Sequence, residues 1–395
     1  MPSSENRGQP VAFHVVDWLP PDFGAVGQHG IIHARALAEQ GVKVCVVGLC
    51  SQIEIGEAEK EQPVDRQPAK MNCSQIEIGE AEKASGNLPE FKRIPAKRYD
   101  KKNAIRRLLW SLQTNARLIR EVIRDPRSRG AELLFTGSPP FMLFFALIAK
   151  QKQRMKLTYR ITDFYPEVLI AAYGRSRFLG LLEKLTWYSR SRVDEFQVLG
   201  QDQRRILEAH GISAKRIKLI RDVSPFTITG REIGVEAPVE LRGYKILLYS
   251  GNYGVAHEVD TVIQGLMHHH RCGAGRFALW LNASGSSVSK MVDALKGTNV
   301  PVALTEPVKL NDLPGVLLAA DALLISLRNA FSGYVMPSKV YGCLATRRPI
   351  IFVGPQSSDV HLLCKAAPDI AYEQVTPGDI EGFSAALDRL AMRKD

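Results

Sequence analysis

The sequence predicts an α/β protein made of two doubly wound domains. Short apolar segments typical of buried strands alternate with segments of helical periodicity, first near the N-terminus and again from residue 245. An irregular stretch at residues 227–243 separates the two series and is the predicted linker. The chain has 395 residues, enough for two cores of ordinary size. Two such units joined by a linker imply a cleft between them.

The first domain is predicted at residues 1–226. It begins with a strand at 12–17, a helix at 27–40 that Gly41 closes, and a second strand at 42–48. Further strands are expected at 132–135, 156–160, 195–198 and 217–220, and helices at 141–150 and 201–210. This alternation is how a doubly wound sheet is built.

The second domain is predicted at residues 244–395. Its strands are expected at 245–250, 277–282, 302–304, 323–325 and 350–353, with helices at 258–267 and 288–295. A contact between the last helix of the chain and the first domain is compatible with this division.

One segment occurs twice. The sequence CSQIEIGEAEK is found at residues 50–60 and again at 73–83. Two copies of a polar, acidic segment cannot build a solenoid, and a packed sheet does not easily absorb such an insert. We expect residues 50–90 to form a surface loop with no catalytic role.

Composition excludes several classes of protein and site. The six cysteines are scattered without a C-x-x-C pair, so neither a disulfide framework nor a zinc site is indicated, and a reducing cytoplasm fits best. The longest apolar run, residues 141–149, is too short to span a bilayer. Consecutive histidines at 268–270 point in different directions on a helix, so no metal site is expected there.

Positive charge is concentrated in one segment. Residues 91–130 contain thirteen Lys or Arg residues and three acidic residues, whereas the whole chain has a net charge of +11. Apolar residues at helical spacing lie among them and predict a basic amphipathic helix. We expect this segment to bind an anionic membrane surface, with a merely solvated helix face as the alternative. No nucleic-acid reader motif accompanies the charge, so nucleic acid is not an expected partner.

A phosphate site is predicted near the C-terminal end. Pro337 and Ser338 follow an apolar strand and can begin a helix whose free N–H groups face an anion. Lys339 would add a positive charge. The same residue types also begin many structural helices, so the prediction depends on what surrounds them.

Two loops that contain glycine follow predicted strands and should face the cleft. Their residues include Gly24, Gly27, Gln28 and His29 in the first loop and Gly251, Asn252, Tyr253 and Gly254 in the second. The first loop departs from the G-x-G-x-x-G pattern, and the strand predicted at 42–48 does not end in an acidic residue that could bind a ribose. Both observations disfavour a nicotinamide dehydrogenase. The second lets the backbone approach an anion, although a simple tight turn would look the same.

Four segments together resemble family 4 of the GT-B glycosyltransferases. They are the loop at 24–30, DFYPE at 163–167, YSGNYGVAH at 249–257 and PSK at 337–339, and their order and spacing match over nearly the whole chain. The resemblance implies two Rossmann-like domains in the GT-B architecture, facing a central cleft. It also implies a nucleotide-sugar donor bound mainly by the C-terminal domain, an acceptor bound by the N-terminal domain, and retention of anomeric configuration. Bacterial enzymes of surface polysaccharide and lipopolysaccharide synthesis are the most similar in character.

The chain departs from the family at four positions. The family's two glutamates, which bind donor hydroxyls, would fall on Tyr334 and Gly342, and its Arg and Lys, which neutralise the diphosphate, on Asn252 and His257. Lys339, backbone N–H groups and a protonated His257 are expected to replace the missing charges. An N-capping or surface role for His257 is the alternative.

Candidates for proton transfer lie on the acceptor side. Asp163 and Glu167 are four residues apart and would share a helix face, but Pro166 argues instead for a turn with Asp163 as a helix cap. Asp17, at the end of the first strand, and His29 are further candidates, of which His29 suits proton handling better.

The sequence therefore predicts a hexosyltransferase-like enzyme, cytoplasmic and peripheral on the inner face of the cell membrane. A UDP- or GDP-sugar would be its donor, and a glycan or lipid-linked molecule its acceptor. No metal or bound cofactor is expected, because N–H groups and cations can stabilise the leaving diphosphate. The alternatives are a non-catalytic GT-B protein that binds or regulates a partner transferase, and a GT-B nucleotide-sugar epimerase.

Overall fold

The computed structural model describes residues 11–19, 25–51, 88–97, 104–232 and 234–393. Within these residues the chain forms two parallel β-sheets, of seven and six strands, with helices between most of the successive strands. The predicted α/β class and the two doubly wound sheets are confirmed. Most of the duplicated segment, and Gly24 of the first predicted loop, lie outside the described residues.

The first sheet has the strand order β3-β2-β1-β4-β5-β6-β7. Its strands are β1 (Val11–Trp18), β2 (Lys43–Cys50), β3 (Glu90–Pro95), β4 (Glu132–Thr136), β5 (Lys156–Ile161), β6 (Glu195–Val198) and β7 (Ile217–Leu219). The accompanying helices are α1 (Ala25–Glu39), α2 (Ala104–Arg124), α3 (Met142–Gln153), α4 (Glu167–Tyr173), α5 (Arg177–Arg190) and α6 (Gln201–Ala209). Strands β2 and β3 are added on one side of β1, and β4 to β7 on the other. The position between β1 and β4, where the strand order reverses, is the switch point at which such sheets bind ligands.

The second sheet has the order β10-β9-β8-β11-β12-β13. Its strands are β8 (Lys245–Asn252), β9 (Phe277–Ser284), β10 (Val302–Thr305), β11 (Ala322–Ser326), β12 (Ile350–Val353) and β13 (Tyr372–Val375). Its helices are α7 (Asp260–Cys272), α8 (Val288–Leu295), α9 (Leu313–Leu318), α10 (Lys339–Thr346), α11 (Asp359–Lys365) and α12 (Ile380–Met392). Here the switch point lies between β8 and β11, which pair in parallel.

Both sheets are buried on their two faces, which explains their continuous apolar strands. Phe13 and Val16 lie on opposite faces of β1, and Leu247 and Leu248 on opposite faces of β8, and all four are buried. The last helix, α12, packs its Phe383 against Gly265 of α7, where a Cβ would overlap the phenyl ring. The described part of α12 thus completes the core of the second unit.

Contacts divide the chain into two units that are not continuous in sequence. The first comprises residues 1–165, 181–198 and 212–218, and the second comprises 166–180, 199–211 and 219–395. Helices α4 and α6 thus belong with the second unit. The predicted division, with the whole first domain before residue 227, does not include this exchange of helices. The cause is visible at α6, where the amide of Gln201 donates to Asp359 at 2.9 Å and the amide of Asp359 donates to Asp202 at 3.0 Å.

The segment between the first strand and its helix differs from the prediction. Helix α1 begins at Ala25, two residues before its predicted start, and includes Gly27 and Gly30, as the helix predicted at 27–40 did. A Cβ at Gly27 would collide with the Trp18 carbonyl oxygen, and one at Gly30 would lie 2.5 Å from Val16. These glycines let α1 lie directly against β1. Strand β2 also runs to Cys50, past its predicted end.

Candidate functional site

The main candidate site lies at the switch point of the second sheet. Strand β8 ends at Asn252 and β11 at Ser326, and the loops that follow lead to His257 and to Lys339. The imidazole Nδ1 of His257 lies 2.7 Å from the carbonyl oxygen of Ser326, so this bond joins the loop after β8 to the end of β11. Most of the predicted donor residues are therefore gathered at one sheet edge.

The ammonium nitrogen of Lys339 is buried and has no hydrogen-bond partner among the described residues, although the residue as a whole is partly exposed. Its Nζ lies 3.1 Å from the centre of the Tyr249 ring, and a Cβ on Gly251 would be 4.0 Å from it. Burial lowers the pKa of Lys339 to about 7. The amine is thus partly protonated at neutral pH and gains its full charge when an anion approaches.

His257 is neutral in this structure, contrary to the expectation of a protonated side chain. Burial, together with the nearby Lys339 ammonium, lowers its pKa to about 3, and the bond to Ser326 opposes this only in part. The Ser326 carbonyl can only accept, so Nδ1 carries the proton and Nε2 keeps a lone pair. His257 can therefore accept a hydrogen bond from a ligand but cannot supply the missing charge.

The loop after β8 is held by an aromatic stack. The rings of Tyr249 and Tyr253 lie 3.9 Å apart, and His257 packs edge-on against both. The Tyr249 hydroxyl donates to the Asn252 carbonyl at 2.8 Å, and the Tyr253 hydroxyl to the Glu258 carbonyl at 2.9 Å. Tyr253 is fully buried, so it supports the loop and is not placed to contact a ligand.

Glycine shapes this loop at two positions. Gly251 has φ of 110° and Gly285, after β9, has φ of 123°, values that side chains rarely tolerate. A Cβ at Gly285 would lie 2.6 Å from the Asn252 side chain, so the β9 loop closes directly on the β8 loop. Asn252 is exposed, and Gly254 packs beside its amide nitrogen.

Helix α10 begins at Lys339, with Ser338 as its N-cap residue. The Ser338 side chain makes no capping hydrogen bond, and Pro337 is buried just before it. The first amides of a helix have no acceptor within the helix, and its dipole favours negative charge at this end. The predicted helix start and its position after β11 are confirmed, while the phosphate stays a prediction.

The two residues that stand where the family has glutamates, Tyr334 and Gly342, lie in different surroundings. Tyr334 lies partly buried after a short 3-10 turn at Asn329–Phe331. Gly342 is buried within α10, and a Cβ there would be 3.3 Å from ring carbons of Phe226. The Phe226 ring therefore occupies space next to Gly342 that a longer side chain would need.

In the first unit, Asp17 and Ser138 meet at the switch point between β1 and β4. The Ser138 hydroxyl donates to Asp17 Oδ2 at 3.0 Å. Burial raises the pKa of Asp17, and the hydrogen bonds from Ser138 and from backbone amides oppose that rise. Gly27 lies next to Asp17 and Trp18.

Asp163 and Glu167 do not share a helix face. Helix α4 begins at Glu167 with Pro166 as its N-cap residue, so Asp163 lies before the helix and does not cap it. No hydrogen bond or ion pair joins the Asp163 carboxyl to a described residue, and burial alone raises its pKa to about 7. Glu167 is buried at the start of α4. Asp163 is thus a carboxyl whose pKa suits proton transfer near neutral pH.

His29 lies on α1 and is partly exposed, one turn before His33. Gln28 belongs to the same helix. Sequence reasoning assigned no role to His14, which is fully buried in β1 and packs edge-on to His33 at 5.7 Å. Neither ring nitrogen of His14 bonds to a described residue, and burial with the charges of His33 and Arg160 lowers its pKa well below 6.5. A histidine in an otherwise apolar strand was the available signal.

His269 and His270 make hydrogen bonds to the backbone at the start of β9. The buried His269 accepts hydrogen bonds from the amides of Arg276 and Phe277 through Nε2, and its Nδ1 lies 3.0 Å from Asp388. No cluster of metal-ligating side chains occurs in the part of the chain that the structure describes.

Helix α2 confirms the predicted basic amphipathic helix for residues 104–124. A groove of about 540 Å³ between β3 and this helix is lined by Lys92, Arg93, Ile94, Pro95, Arg117, Arg120, Glu121 and Arg124. Three leucines in the first half of α2, Leu108, Leu109 and Leu112, are exposed. The buried side of the helix holds the polar Ser111 and Asn115 and, in its second half, the apolar Leu118, Ile119 and Val122. Among the described residues no helix has the length and apolar character needed to cross a membrane.

The sequence matches no family model, and no curated protein matches it by sequence. Solved structures match its fold over nearly its whole length. An α,α-trehalose 6-phosphate synthase from Burkholderia multivorans aligns with a TM-score of 0.62 at 12% identity, covering 98% of this chain and 89% of that one. A trehalose-6-phosphate structure from E. coli bound with UDP-2-fluoro glucose gives 0.61 at 12%, covering 97% and 92%.

WaaG, a glycosyltransferase involved in lipopolysaccharide biosynthesis, gives a TM-score of 0.57 at 13% identity, covering 97% of this chain and 90% of that one. At such identities the similarity establishes the fold, which is the GT-B fold of glycosyltransferases. The resemblance drawn from four sequence segments is confirmed at that level.

Proposed function

We propose that this chain is a glycosyltransferase related to family 4 that transfers a sugar from a nucleotide-sugar donor to a glycan or lipid-linked acceptor in cell-surface polysaccharide synthesis. The observation that carries the proposal is the Lys339 ammonium, buried without a hydrogen-bond partner among the described residues at the switch point of the second sheet. Burying a cation without a counter-charge is costly, which favours a site built for an anionic ligand.

In the proposed reaction the bond between the anomeric carbon and the donor diphosphate breaks while an acceptor hydroxyl forms a new bond to that carbon. Negative charge grows on the leaving UDP or GDP. The Lys339 ammonium and the first amides of α10 stabilise this charge. The anion raises the pKa of Lys339, so the side chain is fully charged when the charge develops. This role requires no metal or bound cofactor.

His257 has a different role from the one expected from the sequence. As a neutral imidazole it accepts, through Nε2, a hydrogen bond from a hydroxyl group of the nucleotide sugar, while Nδ1 stays hydrogen-bonded to the Ser326 carbonyl. Asn252 and Tyr334, at the edge of the same site, provide further polar contacts to the donor.

On the acceptor side, Asp163 is the proposed proton-handling group, because burial holds its pKa near 7. Asp17 and His29 are proposed to orient the acceptor. If the reaction proceeds with retention, as in family 4, the leaving phosphate takes the proton of the acceptor hydroxyl, and Asp163 then acts by positioning that hydroxyl. Measuring the anomeric configuration of the product decides between the two roles.

The proposed acceptor is lipid-linked because α2 offers a basic groove and exposed leucines to an anionic membrane. The protein would work as a peripheral protein on the cytoplasmic face. WaaG, with the same fold, is described as acting in lipopolysaccharide biosynthesis, which supports a surface-glycan acceptor.

The first test is a thermal-shift panel of UDP, GDP, CDP and TDP with their sugar conjugates, on the wild type and Lys339→Met. A ligand at 100 times its Kd adds about 2.7 kcal/mol, which shifts the midpoint by several degrees. We expect one base to give this shift in the wild type and a much smaller shift in the variant. A wild type that no nucleotide shifts, with or without acceptor or anionic vesicles, would refute the donor site.

A second candidate is a non-catalytic GT-B protein that regulates a partner transferase. It is favoured by the absence of both family glutamates and by the Phe226 ring packed beside Gly342. Nucleotide binding without transfer, together with co-purification of an active transferase, would support it. A nucleotide-sugar epimerase would instead convert the donor with no acceptor present.

A further inference from the structure

Helix α5 carries its apolar residues on the outside. Phe178, Leu181, Leu185 and Tyr188 are 69%, 58%, 48% and 61% exposed. Their spacing of three, four and three residues places them on one face of the helix. In the sequence this pattern is typical of a face that packs on a core, but here the face is turned away from it.

The buried side of α5 is polar and firmly fixed. It holds Thr186, Ser189 and Arg190. The Arg190 guanidinium lies 4.4 Å from the centre of the Trp187 ring and 4.9 Å from that of Phe164, and it donates to the Tyr165 carbonyl at 2.9 Å. These contacts fix the rotation of the helix, so its outward apolar face is a stable feature.

Positive charge borders this face. The exposed residues between 173 and 192 include Arg175, Arg177, Lys184 and Arg192 and no acidic side chain, and Glu183 is only partly exposed. The Arg192 guanidinium lies 3.6 Å from the centre of the Tyr188 ring and hydrogen-bonds the Tyr188 hydroxyl. An exposed apolar stripe flanked by cations matches an anionic lipid surface, where acyl chains receive the apolar side chains and headgroups the cations.

We infer that the exposed face of α5, formed by Phe178, Leu181, Lys184, Leu185, Tyr188 and Arg192, inserts into the headgroup region of an anionic bilayer. A second copy of the chain fits less well, because two such faces would bring like charges together. The inference is separate from α2 and does not depend on sugar transfer, since lipid binding needs neither donor nor acceptor.

The test is flotation of the full-length protein with vesicles of phosphatidylglycerol and phosphatidylcholine. The variant Leu181→Ser/Leu185→Ser should reduce the partition coefficient at least tenfold, because two apolar side chains no longer enter the lipid. Lys184→Gln should reduce it about fivefold at low salt and much less at high salt. Val239→Ser, which removes an equally exposed apolar side chain outside any long helix, should leave it unchanged.

Insertion itself is measured with Leu181→Trp. We expect lipids brominated in the upper acyl chain to quench its added emission, relative to the wild type. Unquenched emission, or equal vesicle binding by the double serine variant and the wild type, would overturn the inference. So would a dimer, seen by sedimentation without lipid, that the double serine variant dissociates, because the face would then be a contact between copies.

Discussion

The ammonium nitrogen of Lys339 lies 3.1 Å from the centre of the Tyr249 ring, and Tyr253 stacks on that ring at 3.9 Å. A ring face occupied by a cation at this distance cannot also hold another ring, so Tyr253 covers the opposite face. Attraction between a cation and an aromatic ring contributes about 0.5–2 kcal/mol. Burial lowers the pKa of Lys339 to about 7, and attraction by the ring favours the charged form and so acts in the opposite direction.

Lys339→Met is expected to stabilise the protein. The pKa of Lys339 is about 7 in the folded protein, against 10.5 for an ordinary exposed lysine, so the unfolded chain binds more protons between these values and stability rises with pH there. Below pH 7 the side chain is charged in both the folded and the unfolded state, so folding carries the full free-energy cost of burying the cation. Methionine should therefore raise the free energy of unfolding by about 2–4 kcal/mol at pH 6 and by less at pH 9, measured by urea denaturation. Lys365→Met, exposed on α11, is the control; a Lys339 variant no more stable than wild type at pH 6 would contradict the expectation.

The same variant should lose affinity for the nucleoside diphosphate. A hydrogen bond to a charged group contributes about 1.5–3 kcal/mol, so the Kd should rise roughly 10- to 150-fold. Isothermal titration with the nucleotide found in the thermal-shift panel measures this change. Tyr249→Phe, which keeps the ring beneath Lys339, should bind much more tightly than Lys339→Met. An unchanged Kd in Lys339→Met would place the diphosphate elsewhere.

Nucleotide binding should be accompanied by proton uptake. With a pKa of about 7, Lys339 is mostly neutral at pH 7.5, and a bound anion raises that pKa. We expect more than about half a proton to be taken up at pH 7.5 and affinity to fall as pH rises above 7. Titrations in buffers of different ionisation enthalpy give the proton count, and Lys339→Met corrects for protonation of the nucleotide. Equal uptake by variant and wild type would exclude Lys339 as its source.

Asp163→Asn should change stability with the opposite pH dependence. Burial raises the pKa of Asp163 from 3.8 to about 7, so its contribution to stability is complete below pH 3.8 and is lost as pH rises through 7. Asparagine resembles the neutral acid, and its advantage over aspartate should be larger at pH 8 than at pH 5. Asp293→Asn, exposed on α8, is the matched control. A stability difference that does not vary with pH would argue against the raised pKa.

Gly27→Ala should destabilise the first unit. The added Cβ would overlap the Trp18 carbonyl oxygen and lie 3.0 Å from its carbon, both backbone atoms that cannot move away cheaply. We expect a loss of about 1–3 kcal/mol in urea denaturation. Gly234→Ala meets no atom within 4 Å and should change stability by less than about 0.5 kcal/mol. Equal effects of the two substitutions would show that α1 does not pack this closely.

Much of the fold was predictable because strands buried on both faces leave continuous apolar runs. Val288–Leu295 and Glu195–Val198 were placed to the residue, and the helix that begins with Lys339 was placed after its strand. Strand β3, at Glu90–Pro95, was missed because only Ile94 in it is buried and the strand lies at a sheet edge. Helix α5 was not predicted, and the spacing of its apolar residues would have assigned them to a core face, whereas the structure exposes them.

The candidate site divides in the same way. The sequence by itself determined which residues follow β8 and β11, because the motifs at 249–257 and 337–339 and their distance from each apolar strand can be found directly in the chain. Only the tertiary structure decided their charge states: burial neutralises His257, lowers the pKa of Lys339 and raises that of Asp163. It also decided that the apolar face of α5 is exposed and that Phe226 lies beside Gly342. The physical reason is that desolvation and packing depend on which distant segments surround a group, and local sequence does not record them.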